Sequence, residues 1–457
     1  MLSLANALAT GDPSSRTYCE ALADRIAGHA HLNAFTVFDR DALLAAADAA
    51  DKARAQGKAV GPLHGVPLIL KDNINTTALP TSAGTPALKG NISAANAPLA
   101  QRLFDAGALL AGKANLHELS SGCTCANEVF GPVRNPFDTA RIPGGSSGGT
   151  AAAIAAGLVP AGLGTDTAGS VRVPASLCGI YGFRPSTGRY AAAGIVPLSQ
   201  TVDTAGPMAA SLDGILLLDS VMANDPKPVG AREAKGLRLG VAEDLIAASS
   251  AHVTGVMDAA LKRLEDGGVT LVPVNLRPLD AARRAAAADL IDYEFPGMMR
   301  AYLAAHAPDV SLEQFVERIA APATKQFTAE RLTKKISDDA YRFAVGPAFD
   351  AYDAAYRKLL TDAQVDAVCF PTTPDIALPL VEDDTVLKDG APVFSWFYYA
   401  HTAFASYGRR PGISIPAGLS SDGFPAGLEI DGLRGEDETL LGIARAVAPL
   451  VDVSREQ

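Results

Sequence analysis

The chain is predicted to adopt an α/β fold, with a mostly parallel or mixed β-sheet covered by helices on both faces. Three observations lead to this class. Short apolar runs alternate with helical patterns, and alternation of strand and crossover helix is what buries a sheet on both faces. Apolar residues make up 48% of the chain against 19% charged, as in globular proteins with a generous core. At 457 residues the chain is long enough for one large, elaborated domain.

The elements follow in order. The first ~60 residues read as helical by pattern. Ser14-Ser15 supplies a cap for a helix with Tyr18, Leu22 and Ile26 on one face, and Ala42 to Ala55 is an Ala-rich helix former. After the Gly61-Pro62 turn, Val66 to Leu70 is an apolar run expected to be a buried strand with Lys71 at its C-terminal end. A helix over 97–106, a strand over 108–111, a helix over 148–157 and a strand from Val159 to Gly164 come next. From about Leu279 to Val345 alanine and charge dominate and strand signals lapse, which predicts a helical excursion within the same domain. Strands resume at Val365–Pro371, Gly412–Pro416 and Ala426–Ile430, the last two paired across Ser421-Asp422-Gly423, and a helix over 436–448 closes the pattern.

Charge and cysteine content narrow the function. A net charge of −11 disfavours nucleic acid and anionic membrane surfaces as partners. Five cysteines, an odd count without paired spacing, make no disulfide framework. Cys123-Thr124-Cys125 is too tight for a zinc site and has no histidine cluster beside it. Reduced thiols and an N-terminal stretch without a basic-then-apolar leader predict a cytoplasmic protein. The longest apolar tract, Ala151 to Gly164, is interrupted by Gly157, Pro160 and Gly162 and is too short to span a bilayer. The expectation is a monomer or homodimer acting on a small molecule, with no metal, cofactor, nucleic-acid or membrane partner.

The chemistry is concentrated in two small-residue segments, Gly144-Gly145-Ser146-Ser147-Gly148-Gly149 and Thr165-Asp166-Thr167-Ala168-Gly169-Ser170. Glycines beside serines let backbone N–H groups and hydroxyls come close to a ligand. Three familiar motifs are approached and fail. Gly107 to Lys113 has phosphate-loop spacing, but Ala114 stands where a hydroxyl must meet magnesium. Gly162-Leu163-Gly164 begins a dinucleotide fingerprint whose third glycine position is Thr167. Gly145 to Gly149 fits a nucleophile elbow, yet a polar loop with Pro136 and Pro143 precedes it where a buried strand is required.

No histidine sits in a recognisable triad pattern; His64 is the best placed of the seven, and a packed loop position suits it better than a catalytic one. That leaves lysine as base. Keeping a lysine neutral at pH 7 against its usual value near ~10.4 costs about 4.6 kcal/mol, within the range that full burial supplies. Lys71 at the end of an apolar run fits that demand. Ser146 or Ser147 would pass its proton on, the turn Thr167-Ala168-Gly169-Ser170 offers successive backbone N–H groups to an oxyanion, and the helix after Ser147 points its N-terminal dipole at the serines.

These residues, with Gly65-Val66-Pro67, Gly112-Lys113-Ala114-Asn115, Asp166, Arg172 and Pro174, resemble the amidase signature family over about residues 61–190. The resemblance implies one large domain over 1–457, with a signature core at 60–190, a mixed twisted sheet covered by helices, and the 279–345 insertion forming part of the substrate pocket. It implies Lys71 as buried base, Ser146 as a bridging serine in a cis peptide linkage, and Ser170 as the acylated nucleophile. Backbone N–H groups of Thr167, Ala168, Gly169 and Ser170 would form the oxyanion hole, with Ser147, Asp166 and Arg172 in support. Ala168 departs from the family, which often has glycine there. Ser121, Gly122, Cys123 and Thr124 are expected in the substrate pocket, with Trp396, Phe397, Tyr398 and Tyr399 offering aromatic walls, Trp396 and Tyr398 foremost. No cation presents itself to a carboxylate, which favours neutral amides or carbamates.

Within the family, Arg410 to Gly418, Gly427 to Gly432 and His117 to Ser120 look most like indoleacetamide and mandelamide hydrolases. The implied activity is hydrolysis of small aryl or arylalkyl amides through an acyl-enzyme. The alternatives are a carbamate, urethane or anilide hydrolase, or the amidase subunit of a tRNA-dependent amidotransferase.

Overall fold

The apolar runs become strands of one eleven-stranded sheet in the computed structural model, which describes residues 1–58, 60–225, 229–230 and 232–452. In chain order the strands are β1 (Phe35–Val37), β2 (Pro67–Lys71), β3 (Leu109–Ala114), β4 (Ala161–Asp166), β5 (Tyr181–Arg184), β6 (Thr204–Ala209), β7 (Arg238–Ala242), β8 (Thr270–Val274), β9 (Ala367–Pro371), β10 (Leu380–Glu382), β11 (Thr385–Lys388), β12 (Ala391–Phe394), β13 (Gly412–Leu419) and β14 (Pro425–Asp431). The large sheet runs β1-β3-β2-β4-β6-β5-β13-β14-β9-β7-β8, and β10-β11-β12 form a separate meander. Pairing is parallel for β3-β2-β4 and for β9-β7-β8, and antiparallel elsewhere. The sheet is therefore mixed.

Both faces are covered because neighbouring strand residues point opposite ways. On β2, Leu68 and Leu70 enter a core with Leu103, Ile215, Leu218 and Met257. Ile69 enters the opposite core with Leu22, Leu43, Leu44 and Ile154. The paired strands at the end of the chain form as expected, with Ile413 opposite Ile430 and Ile415 opposite Leu428.

The structure corrects the sequence reading in three places. The first segment is not all helix, since β1 edges the sheet beside β3. β5 to β8 and the meander were not anticipated. β6 carries Gly206 and Pro207 in the middle of the sheet, residues that count against a strand on local grounds. The helical stretch also continues past Val345, through Ala344–Ala348 into Phe349–Ala363.

Candidate active site

The site forms where β2 and β4, adjacent and parallel, both end. Leu70 lies opposite Leu163, so Lys71 comes level with the last residues of β4. Ligands gather at this carboxyl end of parallel strands. Lys71 is fully buried, and its Nζ donates to Ser146 Oγ at 2.7 Å and to Thr165 Oγ1 at 2.9 Å. Thr165 Oγ1 also receives Asn73 Nδ2 at 3.0 Å. Burial brings Lys71 down to about 7, with Cys125, Asp166 and Asp203 acting in the opposite sense. A large share of the amine is therefore neutral near pH 7 and has a lone pair for a hydroxyl proton.

The Gly145-Ser146 peptide is cis. Ser147 makes no hydrogen bond to Lys71. Its hydroxyl bridges the backbone of Thr165, and its N–H donates to the Ser170 carbonyl at 3.2 Å. The neighbouring serines therefore differ in place: Ser146 meets the lysine, and Ser147 ties the two small-residue segments together.

Ser170 ends the turn 167–170, one residue before Val171, the N-cap of the helix Arg172–Leu177. Among the described residues, none of the N–H groups from Thr167 to Ser170 donates to a protein acceptor. Thr402 Oγ1 holds the Ala168 carbonyl at 2.7 Å, and Thr167 Oγ1 donates to Asp203 at 2.7 Å. Gly169 has φ +144°, and a Cβ there would lie 2.1 Å from Thr402 Oγ1. Only glycine fits.

Below the turn, Asp166 accepts from Arg172 Nε and Nη2, each at 3.1 Å, from Arg184 Nη1 at 2.9 Å and from the Val171 N–H at 3.2 Å. Burial opposes ionisation of Asp166, yet the two guanidinium groups hold it well below the usual carboxylate range. Arg172 also donates to Glu429 at 2.6 Å and to Ser406 at 2.7 Å.

The Ser170 hydroxyl lies 3.4 Å from Tyr399 Oη and makes no hydrogen bond to Ser146. Tyr399 Oη donates toward the carbonyls of Gly122 at 2.8 Å and Gly145 at 3.1 Å. Its proton is thus committed, and Ser170 is the donor of that pair. The chain therefore brings Lys71 and Ser146 into contact and leaves Ser170 beside them, turned toward Tyr399.

A cavity beside Ser170 is lined by Ser120, Ser121, Gly122, Thr167, Ala168, Leu198, Ile291, Arg331, Trp396, Tyr399, Ala403 and Tyr407. Of the expected pocket residues, Ser121, Gly122, Trp396 and Tyr399 reach it. Cys123, Thr124, Phe397 and Tyr398 do not: Cys123, Phe397 and Tyr398 pack in an apolar cluster with Val173 and Leu177, Tyr398 Oη bonds the Ile376 carbonyl at 2.6 Å, and Thr124 Oγ1 bonds the Asp383 carbonyl at 2.5 Å. Tyr398 and Tyr399 end the 3₁₀ helix Ser395–Tyr399, where successive side chains are about 120° apart, so Tyr399 faces the cavity where Tyr398 does not.

Sequence reasoning also missed Asp384. From the meander it accepts the N–H groups of Cys123 at 2.8 Å and Thr124 at 3.2 Å, the Ser395 hydroxyl, and Trp396 Nε1 at 2.5 Å. One carboxylate thus pins the 121–124 loop to the aromatic wall. The absence of a cation is corrected as well, because the helical insertion brings Arg331 into the wall. His64 packs its backbone against Gly107, away from the site.

The profile of the family described as Amidase matches residues 18–441. An indoleacetamide hydrolase of Rhizobium radiobacter is 37% identical over 443 residues, covering 95% of this chain and 93% of that protein. A mandelamide hydrolase of Pseudomonas putida is 37% identical over 454 residues, covering 96% and 88%. A solved structure described as a crystal structure of amidase superposes with a TM-score of 0.85 at 30% identity, covering 99% of each chain.

Proposed function

This chain belongs to the Amidase family and is a hydrolase acting on amide bonds, and from that premise we propose that it cleaves small aryl or arylalkyl amides through an acyl-enzyme on Ser170. The 2.7 Å contact of a fully buried Lys71 with Ser146 Oγ carries the reading. Neutral Lys71 takes the Ser146 proton while Ser146 takes that of Ser170, whose hydroxyl exchanges Tyr399 Oη for Ser146 as it attacks the amide carbonyl. Catalytic hydrogen bonds that are long before substrate binds tighten in the reacting complex.

The carbonyl oxygen becomes an oxyanion against the unengaged N–H groups of Thr167 to Ser170, each such donor contributing ~10²–10³ in rate. Ser147, Asp166 and Arg172 keep the two segments in register. Collapse of the tetrahedral intermediate breaks the C–N bond as the proton held at Lys71 returns through Ser146 to the leaving nitrogen. Water then repeats the sequence on the acyl-enzyme, releasing acid and regenerating Ser170. Leu198, Ile291, Trp396, Ala403 and Tyr407 give the cavity the apolar, aromatic lining that an aryl group prefers. Anilides and esters differ from primary amides only in the leaving group, and carbamates also keep a second heteroatom on the carbonyl, so one substrate screen ranks them.

Treatment with phenylmethanesulfonyl fluoride is expected to place one label on Ser170, read by peptide mass spectrometry, and to abolish ammonia release from arylacetamides. Ser170→Ala is expected to lose both. A label on another serine, or turnover by Ser170→Ala at the wild-type rate, overturns the mechanism.

A further inference from the structure

Arg331 is the one charged side chain among the described residues lining the Ser170 cavity. It comes from the helix Pro322–Thr333, on the face that also buries Thr324 and Thr328. The residue is 8% exposed, yet its charge is incompletely answered. Its ion pair to Asp292 is long, 3.4 Å through Nε, and the other Asp292 oxygen is taken by Lys334 at 2.7 Å. Nη1 is buried with no hydrogen-bond partner among the described residues. Burial pushes the guanidinium below its ordinary value, and Asp292 recovers only part of the loss. The Phe295 ring, 5.7 Å from Cζ, and the charge of Asp203 also favour the cation without bonding it.

A buried guanidinium with an empty donor is costly unless something supplies an acceptor. The planar fork of arginine matches a carboxylate with two parallel hydrogen bonds. We propose that Arg331 selects amides whose acyl portion carries a carboxylate, which pairs with the guanidinium while the amide carbonyl lies on the 167–170 turn. This rests on the proposed reaction at Ser170 and narrows its substrate class from neutral aryl amides to acidic ones. The aromatic wall then packs the body of the acyl group between its two polar ends, and Arg331 acts on specificity without touching the reacting atoms.

The test compares kcat/KM on matched pairs: para- and meta-carboxyphenylacetamide against the corresponding tolylacetamides, and malonamate and succinamate against propionamide and butyramide. Wild type is expected to favour the acid in at least one pair. In Arg331→Gln the acid-to-neutral ratio for that pair should fall by about 10–100-fold, the worth of a hydrogen bond to a charged group. Arg331→Lys, which keeps the charge without the fork, should recover part of the ratio.

If Arg331→Gln fails to fold, wild type itself decides. The free carboxyphenylacetates and dicarboxylates should slow Ser170 labelling at lower concentration than the tolylacetamides and butyramide do. A ratio that does not respond to Arg331, or neutral amides preferred throughout while Ser170 is labelled and turns over, overturns this inference and leaves the reaction standing. Absence of both Ser170 labelling and hydrolysis overturns the two together.

Discussion

Lys71 and its neighbour Asp72 show how much one position in a strand decides. Asp72 pairs with the buried Lys113 at 3.3 Å, while Lys71 turns to Ser146 and Thr165 and has no carboxylate partner among the described residues. Burial leaves it near 7 in the folded chain, against ~10.4 in an unfolded one. The base must be neutral to act, so kcat/KM is expected to fall about tenfold per pH unit below about 7, read from a pH profile on an arylacetamide. A flat profile down to pH 5 would remove Lys71 as the base. The stability consequence has the opposite sign to that of a salt-bridged lysine. Between about 7 and ~10.4 the unfolded chain holds a proton that the folded chain lacks, so this group makes stability rise with pH across that window. Below about 7 both states are charged and the full cost of burying the ammonium remains. Lys71→Met should therefore raise the melting temperature at pH 6 and weaken the pH dependence above 7, measured by calorimetry. The burial of Lys71 was readable from Val66 to Leu70; its partners lie 75 and 94 positions away and were not readable from the local run.

At the scale of elements, the site depends on turns and loops held from a distance. The 167–170 turn was recognisable by its small residues, but Thr402, which fixes it through the Ala168 carbonyl, lies beyond the insertion. Gly169→Ala meets that side chain and a φ of +144° together, so the turn must shift and the oxyanion donors with it. A loss of about 10²-fold or more in kcat is expected, with KM changed less, from steady-state kinetics on a variant whose circular dichroism spectrum is unchanged. Wild-type kcat would show that the turn does not position the donors. The 121–124 loop follows the same logic: its sequence is unremarkable in charge, and what aims Ser121 and Gly122 at the cavity is Asp384 on the meander. The meander was missed because three short strands with exposed residues give little alternation to read. β6 was missed because Gly206 and Pro207 are tolerated there only by virtue of their place in the sheet.

Over the whole molecule, one buried network joins the end of β4, the helix after Ser170, β5 and β14. Asp166, Arg172, Arg184, Ser406 and Glu429 all take part. Removing one partner strands the others without solvent, so Arg172→Met should cost about 3–5 kcal/mol, read from urea unfolding. A cost below about 1 kcal/mol would mean that the network adds little to the fold. By itself the sequence determined the α/β class, the segments that bear serine and lysine, and the family they resemble, because strand patterns, glycine-rich turns and an apolar run before a lysine are local properties of the chain. The choice of Ser146 over Ser147 came from the family resemblance and not from the local pattern, and tertiary structure alone decided that Ser170 faces Tyr399, that Asp384 secures the pocket loop and that Arg331 enters the wall. Each of those depends on side chains brought together across long separations, where burial and the direction of each residue are set by packing.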